Sequence, residues 1–388
     1  MSLNQIRLMF IPLLATLIMA GFVTTIGLVI EPAAKHYGVS ISDVAGQFSF
    51  LTAGVFIGGV LAFFVFDYVA IKRVVLGGCL ASIIFIFWLH FSDSYWLLPI
   101  LLALIGVFFA IVGCAGVTII TQQWSGPRRQ TIMVAQDAMF NGGGIAFSAA
   151  TTWFLVNSFG WTSVYLVVVV LLGIVLLLVF PSSFCPVVKL EKSGTGTGSI
   201  WNFGIILIGV SLLLFMVAKI SILVWAPQFI QQTFMSGPEE AGLFMGNVFF
   251  AAFIGSLFGT WAASKVPVRY LLYGFVIVSL SAVFAMTVVE SLSMVLIIGY
   301  FYGVSVSATY NSYVAFGLSF VDSPSHKHVV YLQLMSGLGS TMAPFVSSVI
   351  VEETRSAIKA VQFSFVILVV VALTLIVGNF YYRRMKAL

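Results

Sequence analysis

Two ionisable side chains, Asp137 and Lys219, stand inside long apolar runs of this sequence. A charge at membrane depth is costly, so such residues face water, a ligand or an opposite charge. Asp137 and Asn141 are four residues apart, on one helix face, and Gly144 continues that face. Partial burial favours the protonated form of a carboxyl, which suits Asp137 to carry a proton; the plainer alternative is a structural lock held by polar neighbours. Lys219 would anchor an anionic or strongly polar solute, or pair with Asp137 when no solute is bound. Its own alternative is a lysine snorkelling to the outer interface, strained because it stands roughly 12 to 15 Å from the nearer end at 1.5 Å per residue. Thr24, Gln136, Asn247, Tyr302, Tyr310, Asn311 and Gln333 fall at comparable depth. Amides and phenols suit a hydroxylated solute, since they donate and accept while a ring covers its apolar face. Any one of them also serves as an ordinary interhelical hydrogen bond.

The elements that position these groups are membrane spans. Of 388 residues, 61% are hydrophobic and 7% charged. A soluble globule would carry roughly a quarter charged residues. Runs such as 164–179, apolar at every position except one glycine, exclude the alternation of a β-barrel and predict helices. Twelve segments emerge: 8–33, 44–66, 72–91, 95–121, 128–155 and 161–181, then 203–231, 241–263, 268–288, 292–320, 325–351 and 358–382. The first starts too early and runs too long for a cleavable signal peptide, and is read as a span. A polar stretch at 182–202 with a Gly/Thr/Ser run divides the chain into a bundle at 1–181, a linker at 182–202 and a bundle at 203–388. The fold expected is all-α, with two pseudo-symmetric six-helix bundles.

With six spans per half, both termini and the linker share one side, and thirteen of the 17 Lys/Arg fall there, among them Arg7, Lys72, Arg73, Arg128, Arg129, Lys265, Arg269, Arg383 and Arg384. The positive-inside rule places that side in the cytoplasm of a plasma membrane, here a bacterial inner membrane. The net charge of +5 is this bias and implies no nucleic-acid partner. Cys79, Cys114 and Cys185 lack paired spacing, no His-rich or acidic cluster is present, and His326 with His328 belong to a loop. Neither metal nor cofactor is expected, and an enzyme is disfavoured. No phosphate-binding GxxxxGK[ST] motif supports ATP-driven pumping.

The second half repeats the first at an offset of 197 residues: Phe56, Ile57 and Gly58 recur as Phe253, Ile254 and Gly255, Gly77 as Gly274, Gly106 as Gly303, Gln136 as Gln333 and Gly142 as Gly339. Two related bundles joined by a loose loop predict a carrier that rocks about a central site and exposes it to each face in turn. The run Asn141 to Gly144 allows close approach of another helix, and Trp225, Pro227 and Pro344 mark expected bends. Asp67, Lys72 and Arg73, between the second and third spans, would latch one side closed, the aspartate accepting from a helix N-terminus. Helix capping and topology are the plainer role for the same three.

The Phe50 to Gly54 stretch, the loop carrying Asp67, the run through Ala135, Gln136, Asp137, Phe140 and Asn141, and Trp225 to Pro227 resemble the major facilitator superfamily over the whole chain, and within it the fucose-permease-like group with its TsgA-type members. Ala70 and Tyr68 depart from the superfamily's loop signature, which has a glycine and a basic residue there. The resemblance implies proton-coupled transport of small sugars, with lipid, solute and protons as partners and a monomeric carrier. The fucose permease carries its proton on acids of helices 1 and 4, and the matching places here are Leu28 and Gly116. Coupling then falls to Asp137, or transport is not sugar–proton symport. An exporter would carry a glycine-proline motif in helix 5, which this glycine run lacks. A uniporter or exporter of the same fold, and a non-transporting scramblase or sensor, remain the rivals.

Overall fold

The computed structural model describes residues 2–124, 126–184, 201–263, 265–321 and 326–387. The linker residues 185–200, with Cys185, lie outside the described residues, as do Ser264 and the side chains of Asp67, Asp137 and Lys327. Among the described residues fourteen α-helices form two compact units, Met1–Glu191 and Lys192–Leu388, and no strand occurs. The first unit holds α1 (Leu3–Val23), α2 (Ile26–Tyr37), α3 (Ile41–Tyr68), α4 (Ile71–Phe91), α5 (Leu98–Gln123), α6 (Gly126–Val156) and α7 (Ser163–Val179). The second holds α8 (Phe203–Phe234), α9 (Pro238–Ala263), α10 (Val268–Val288), α11 (Leu292–Ser307), α12 (Thr309–Leu318), α13 (His326–Thr354) and α14 (Ala357–Ala387). Among the described residues ten spans are long and apolar enough to cross a bilayer, and Ser163–Val179 is a shorter apolar helix. With α6, 31 residues long, they make twelve segments.

Local chemistry fixes several helix ends. Ser2 with Gln5 and Ser40 with Asp43 form reciprocal capping boxes on α1 and α3. Gly38 stops α2 at a φ of +66°, a conformation that favours glycine.

Two expected continuous spans are broken. The first divides at Thr24 and Thr25, and the tenth divides at Ala308. Neither break contains proline or glycine; both are crowded with hydroxyls that bond back to the chain. Thr24 Oγ1 donates to Ala20 O at 2.7 Å, and Thr25 Oγ1 to Gly21 O at 2.8 Å. Ser307 Oγ donates to Val304 O at 2.7 Å, Ser312 Oγ to Ala308 O at 2.9 Å, and Thr309 Oγ1 to Ser305 O. Such bonds compete with the amide ladder and favour bending. At the expected bends, by contrast, α8 runs helical through Pro227 and α13 through Pro344. Trp225 is fully buried between these two helices, its indole N–H donating to Ser347 Oγ at 2.9 Å.

The repeat has a physical counterpart in the helix pairs of each unit. In the first, α3 packs on α5, α4 on α5, α1 on α6, α1 on α7 and α4 on α7. In the second, α9 packs on α11, α10 on α11, α8 on α13, α8 on α14 and α10 on α14. Recurring glycines sit at equivalent crossings. A Cβ at Gly58 would strike Val107 of α5, and one at Gly106 would strike Leu51 O of α3. A Cβ at Gly255 would stand 2.9 Å from Val304 Cα of α11, and one at Gly303 would strike Val248 O of α9. Small residues at these points let the two backbones approach, which is the main source of packing between membrane helices.

Candidate functional site

The residues singled out by the sequence distribute over both units, and each unit organises its own share. In the first, Gln136 of α6 is buried and its Nε2 donates to Thr16 Oγ1 at 3.2 Å and to Pro12 O at 3.4 Å. Pro12 lacks the amide that would bond Leu8 O, and Gln136 ties α6 to α1 one turn further on, at Pro12 O and Thr16. The glycine run permits the approach: a Cβ at Gly143 would stand 2.7 Å from Ala20 Cβ and 3.3 Å from Leu17 O. Asp137 lies on α6, about 16 Å along it from Gly126 by helical rise. Asn141, one turn on, is half-buried. Thr24 is buried two turns beyond Thr16 and bonds within its own helix, so Gln136 and Thr24 belong to different layers.

Leu28 and Gly116 are both packing positions. Leu28 is buried, and a Cβ on Gly116 would stand 3.0 Å from Pro12 Cα. Glu31, next to Pro32, pairs with Lys35 at 2.8 Å within α2. Lys72 donates to Phe180 O at 2.8 Å and to Ser182 O at 3.0 Å, so it caps the C-terminal end of α7 in its own unit. Asn4 and Ser183 exchange two further bonds beside it, at 3.0 and 2.9 Å. Arg73, next to Lys72, is exposed.

In the second unit Lys219 stands midway along α8, half-buried, rather than displaced toward one end, because α8 continues to Phe234. Its Nζ lies 3.5 Å from Val306 O, in the last turn of α11 before the break. Tyr302, fully buried one turn earlier, donates its hydroxyl to Lys219 O at 3.4 Å. The carbonyls that end a helix carry partial negative charge, and an ammonium beside them is favourably placed. Asn247 is set apart: it is buried and donates to Leu296 O at 3.2 Å, about 15 Å of helical rise from Val306. Tyr310 is half-buried on α12, while Asn311 and Gln333 are exposed.

Lys219, Tyr302 and the interrupted end of α11 thus form one group, and Gln136 with the Pro12 region of α1 forms another. The break at Ala308 was missed in sequence; its signal is the run Ser305, Ser307, Thr309 and Ser312, whose hydroxyls compete for backbone carbonyls.

Comparison with known proteins gives this arrangement its context. The Major Facilitator Superfamily profile matches residues 13–332. A TsgA homolog of Buchnera aphidicola subsp. Schizaphis graminum (strain Sg) is 28% identical over 257 residues, which are 66% of this chain and 65% of that relative. TsgA of Shigella flexneri is 24% identical over 364 residues, spanning 90% of this chain and 89% of the relative. The crystal structure of the nucleoside transporter NupG superposes with a TM-score of 0.74 at 13% identity, covering 99% of each chain. A bacterial homolog of the human lysosomal transporter Spinster, inward-facing and unoccupied, gives 0.69 at 14% identity over 98% of this chain and 97% of its own. At these identities the structural likeness speaks for the fold. With its twelve segments in two matching units and the profile running through most of them, the chain belongs to the Major Facilitator Superfamily and is a multi-pass membrane transporter.

Proposed function

We propose that this protein is a secondary active transporter that moves a small polar solute, of the sugar or sugar-acid type, across a bacterial inner membrane by alternating access with proton coupling. Both termini lie in the cytoplasm, in keeping with the Lys/Arg bias, and the carrier works as a monomer. The observation that carries the reading is the placement of Lys219. Its ammonium stands midway along a 32-residue helix, half-buried, against the carbonyl end of an interrupted helix. A cation held there at desolvation cost has a use if it meets a solute carboxylate or a polar hydroxyl cluster. Tyr310, Asn311 and Gln333 supply further contacts from the second unit; Asn141 supplies one from the first, and Asp137 carries the proton. Gln136, Thr24 and Asn247 are the remaining substrate-binding residues of this reading. Asp67, Lys72 and Arg73 serve the gating loop, Lys72 by fixing the loop to the end of α7.

The test uses purified protein in detergent and in proteoliposomes. Thermal shifts are recorded with sugars, sugar acids, dipeptides and nucleosides, the last because NupG shares the fold, for wild type, Asp137→Asn and Lys219→Met. A sugar acid should stabilise the wild type and Asp137→Asn but leave Lys219→Met unmoved. In liposomes Asp137→Asn should keep solute counterflow and lose uptake driven by a pH gradient. If no solute stabilises the wild type, or Lys219→Met responds fully, the assignment of Lys219 fails. Gradient-driven uptake by Asp137→Asn would remove the proton from that residue.

A further inference from the structure

The ends of α10 and α14 carry a second, separate group of cations. Lys265, Arg383 and Arg384 are exposed, and Arg269 is half-buried. The Arg269 guanidinium lies over two phenol rings, 4.7 Å from the centroid of Tyr270 and 5.2 Å from that of Tyr382. Its Nη2 donates to Tyr270 Oη at 3.1 Å, and Arg383 of α14 stands near the same hydroxyl. Tyr382 is itself fixed from α12, 5.8 Å from the ring of Phe316 and 5.4 Å from that of Phe320. Arg269 is therefore held in place by aromatic packing, and Arg383 stands beside it at the end of α14.

No acid balances them among the described residues. The described acids of this unit are Glu239, Glu240, Glu290, Glu352 and Glu353. Glu239 and Glu240 open α9, Glu290 follows α10, and Glu352 and Glu353 lie in the last turn of α13, all at the opposite end of the helices. Among the described residues these cations meet no carboxylate, which leaves their outer faces open to an anion from outside the protein. The surroundings say of what kind: Phe380, one turn from Arg383 on α14, is 72% exposed, and Ile277 and Val377 are also exposed on the same two spans. An anchored guanidinium with a second beside it, at the mouth of an apolar surface, matches a molecule with an anionic phosphate and acyl chains.

We propose that Arg269, Tyr270, Tyr382 and Arg383 form a headgroup site for an anionic phospholipid. The arginines donate to the phosphate in the fork geometry that lysine lacks, and the exposed apolar residues of α10 and α14 receive the acyl chains. Topology alone asks only for positive charge on this side, and any lysine supplies it. Two rings stacked on one guanidinium go beyond that requirement.

The experiment titrates full-length protein in a neutral detergent with phosphatidylglycerol, phosphatidylcholine or inorganic phosphate, reading bound lipid by native mass spectrometry and stability by thermal shift. Phosphatidylglycerol should bind and stabilise the wild type, and the other two should not. Arg383→Gln, at an exposed helix end where folding is not at stake, should weaken phosphatidylglycerol binding about fivefold. Arg269→Lys keeps the charge and should weaken it as well, whereas Lys359→Gln at the opposite end should not. Equal binding by Arg269→Lys and wild type reduces the site to diffuse charge and overturns the proposal. So does an equal response to phosphatidylcholine, or the same stabilisation by inorganic phosphate.

Discussion

Alanine at the recurring glycines should split the repeat into two classes of opposite sign. At Gly106, a Cβ would strike Leu51 O and stand 2.9 Å from Val55 N and 3.1 Å from Gly54 Cα. At Gly303 it would strike Val248 O and stand 2.9 Å from Ala251 Cβ. These obstacles are mostly backbone, so the two helices must separate rather than a side chain turn aside. Overpacking of this kind costs about 1 to 3 kcal/mol. The better helix propensity of alanine returns about 0.5 to 1 kcal/mol. The net loss is on the order of 1 to 2 kcal/mol, and a unit of this size shifts its Tm by about 2 to 4 °C per kcal/mol, so a fall of roughly 2 to 8 °C is expected. Gly77 and Gly274 are the internal controls, because a Cβ at either meets nothing within 4 Å. Their alanine variants should hold or gain about 1 to 4 °C by the same conversion. Thermal unfolding of the purified protein in detergent reads all four. If Gly106→Ala and Gly303→Ala melt at or above the wild type, or if Gly77→Ala falls as far as they do, the close crossings are not what holds each unit together.

Three further expectations concern the polar ties inside the units. Ser347→Ala leaves the Trp225 indole N–H buried without its acceptor and should cost about 1 to 3 kcal/mol in unfolding experiments; pairing it with Trp225→Phe should then add little, because the two changes remove one bond. Gln136→Leu removes the brace on Pro12 and Thr16, and should lower stability by about 0.5 to 1.5 kcal/mol, with Thr16→Val showing a non-additive partner effect. Lys72→Gln uncaps the end of α7 and should lower stability by about 0.3 to 1 kcal/mol, with faster hydrogen exchange at residues 176–182 as the local readout.

The sequence carries the spans and the repeat because both rest on strong, redundant signals. An apolar run of about 20 residues has no alternative once the backbone must close its own hydrogen bonds. Gly58, Gly106, Gly255 and Gly303 keep register because a crossing that needs a missing side chain tolerates few replacements. Less was legible where the cause is a partner far along the chain. Lys72 meets Phe180 and Ser182 across 108 and 110 residues, and Asn247 finds Leu296 across 49. Nothing in their own neighbourhoods announces those partners. The breaks at Thr24 and Ala308 were hidden for another reason: each hydroxyl perturbs the amide ladder weakly, and only several acting together interrupt a helix. Proline, the loud local signal, marked Pro227 and Pro344, yet the helix continues through both, since a single missing amide within a long span is tolerated where the helix is packed among its neighbours.

The question of coupling turns on Gly116. The resemblance to the fucose-permease-like group puts an acid at this place, yet here α5 meets α1 at its proline, with 3.0 Å between a would-be Cβ and both Pro12 Cα and Pro12 Cβ. The Gln136 amide lies 4.0 Å from the same point and is already directed at Pro12 O and Thr16. An aspartate would have to displace α1 and draw Gln136 away from the bonds that brace it. Gly116→Asp should therefore lower stability by about 1 to 3 kcal/mol for the overpacking alone, with a further cost for a carboxylate at this depth. It should leave gradient-driven uptake no steeper than in the wild type. A Gly116→Asp protein that melts like the wild type and gains pH-driven uptake would mean that the place is still built for a proton carrier, and that the loss of its acid is a single substitution rather than a feature of the packing.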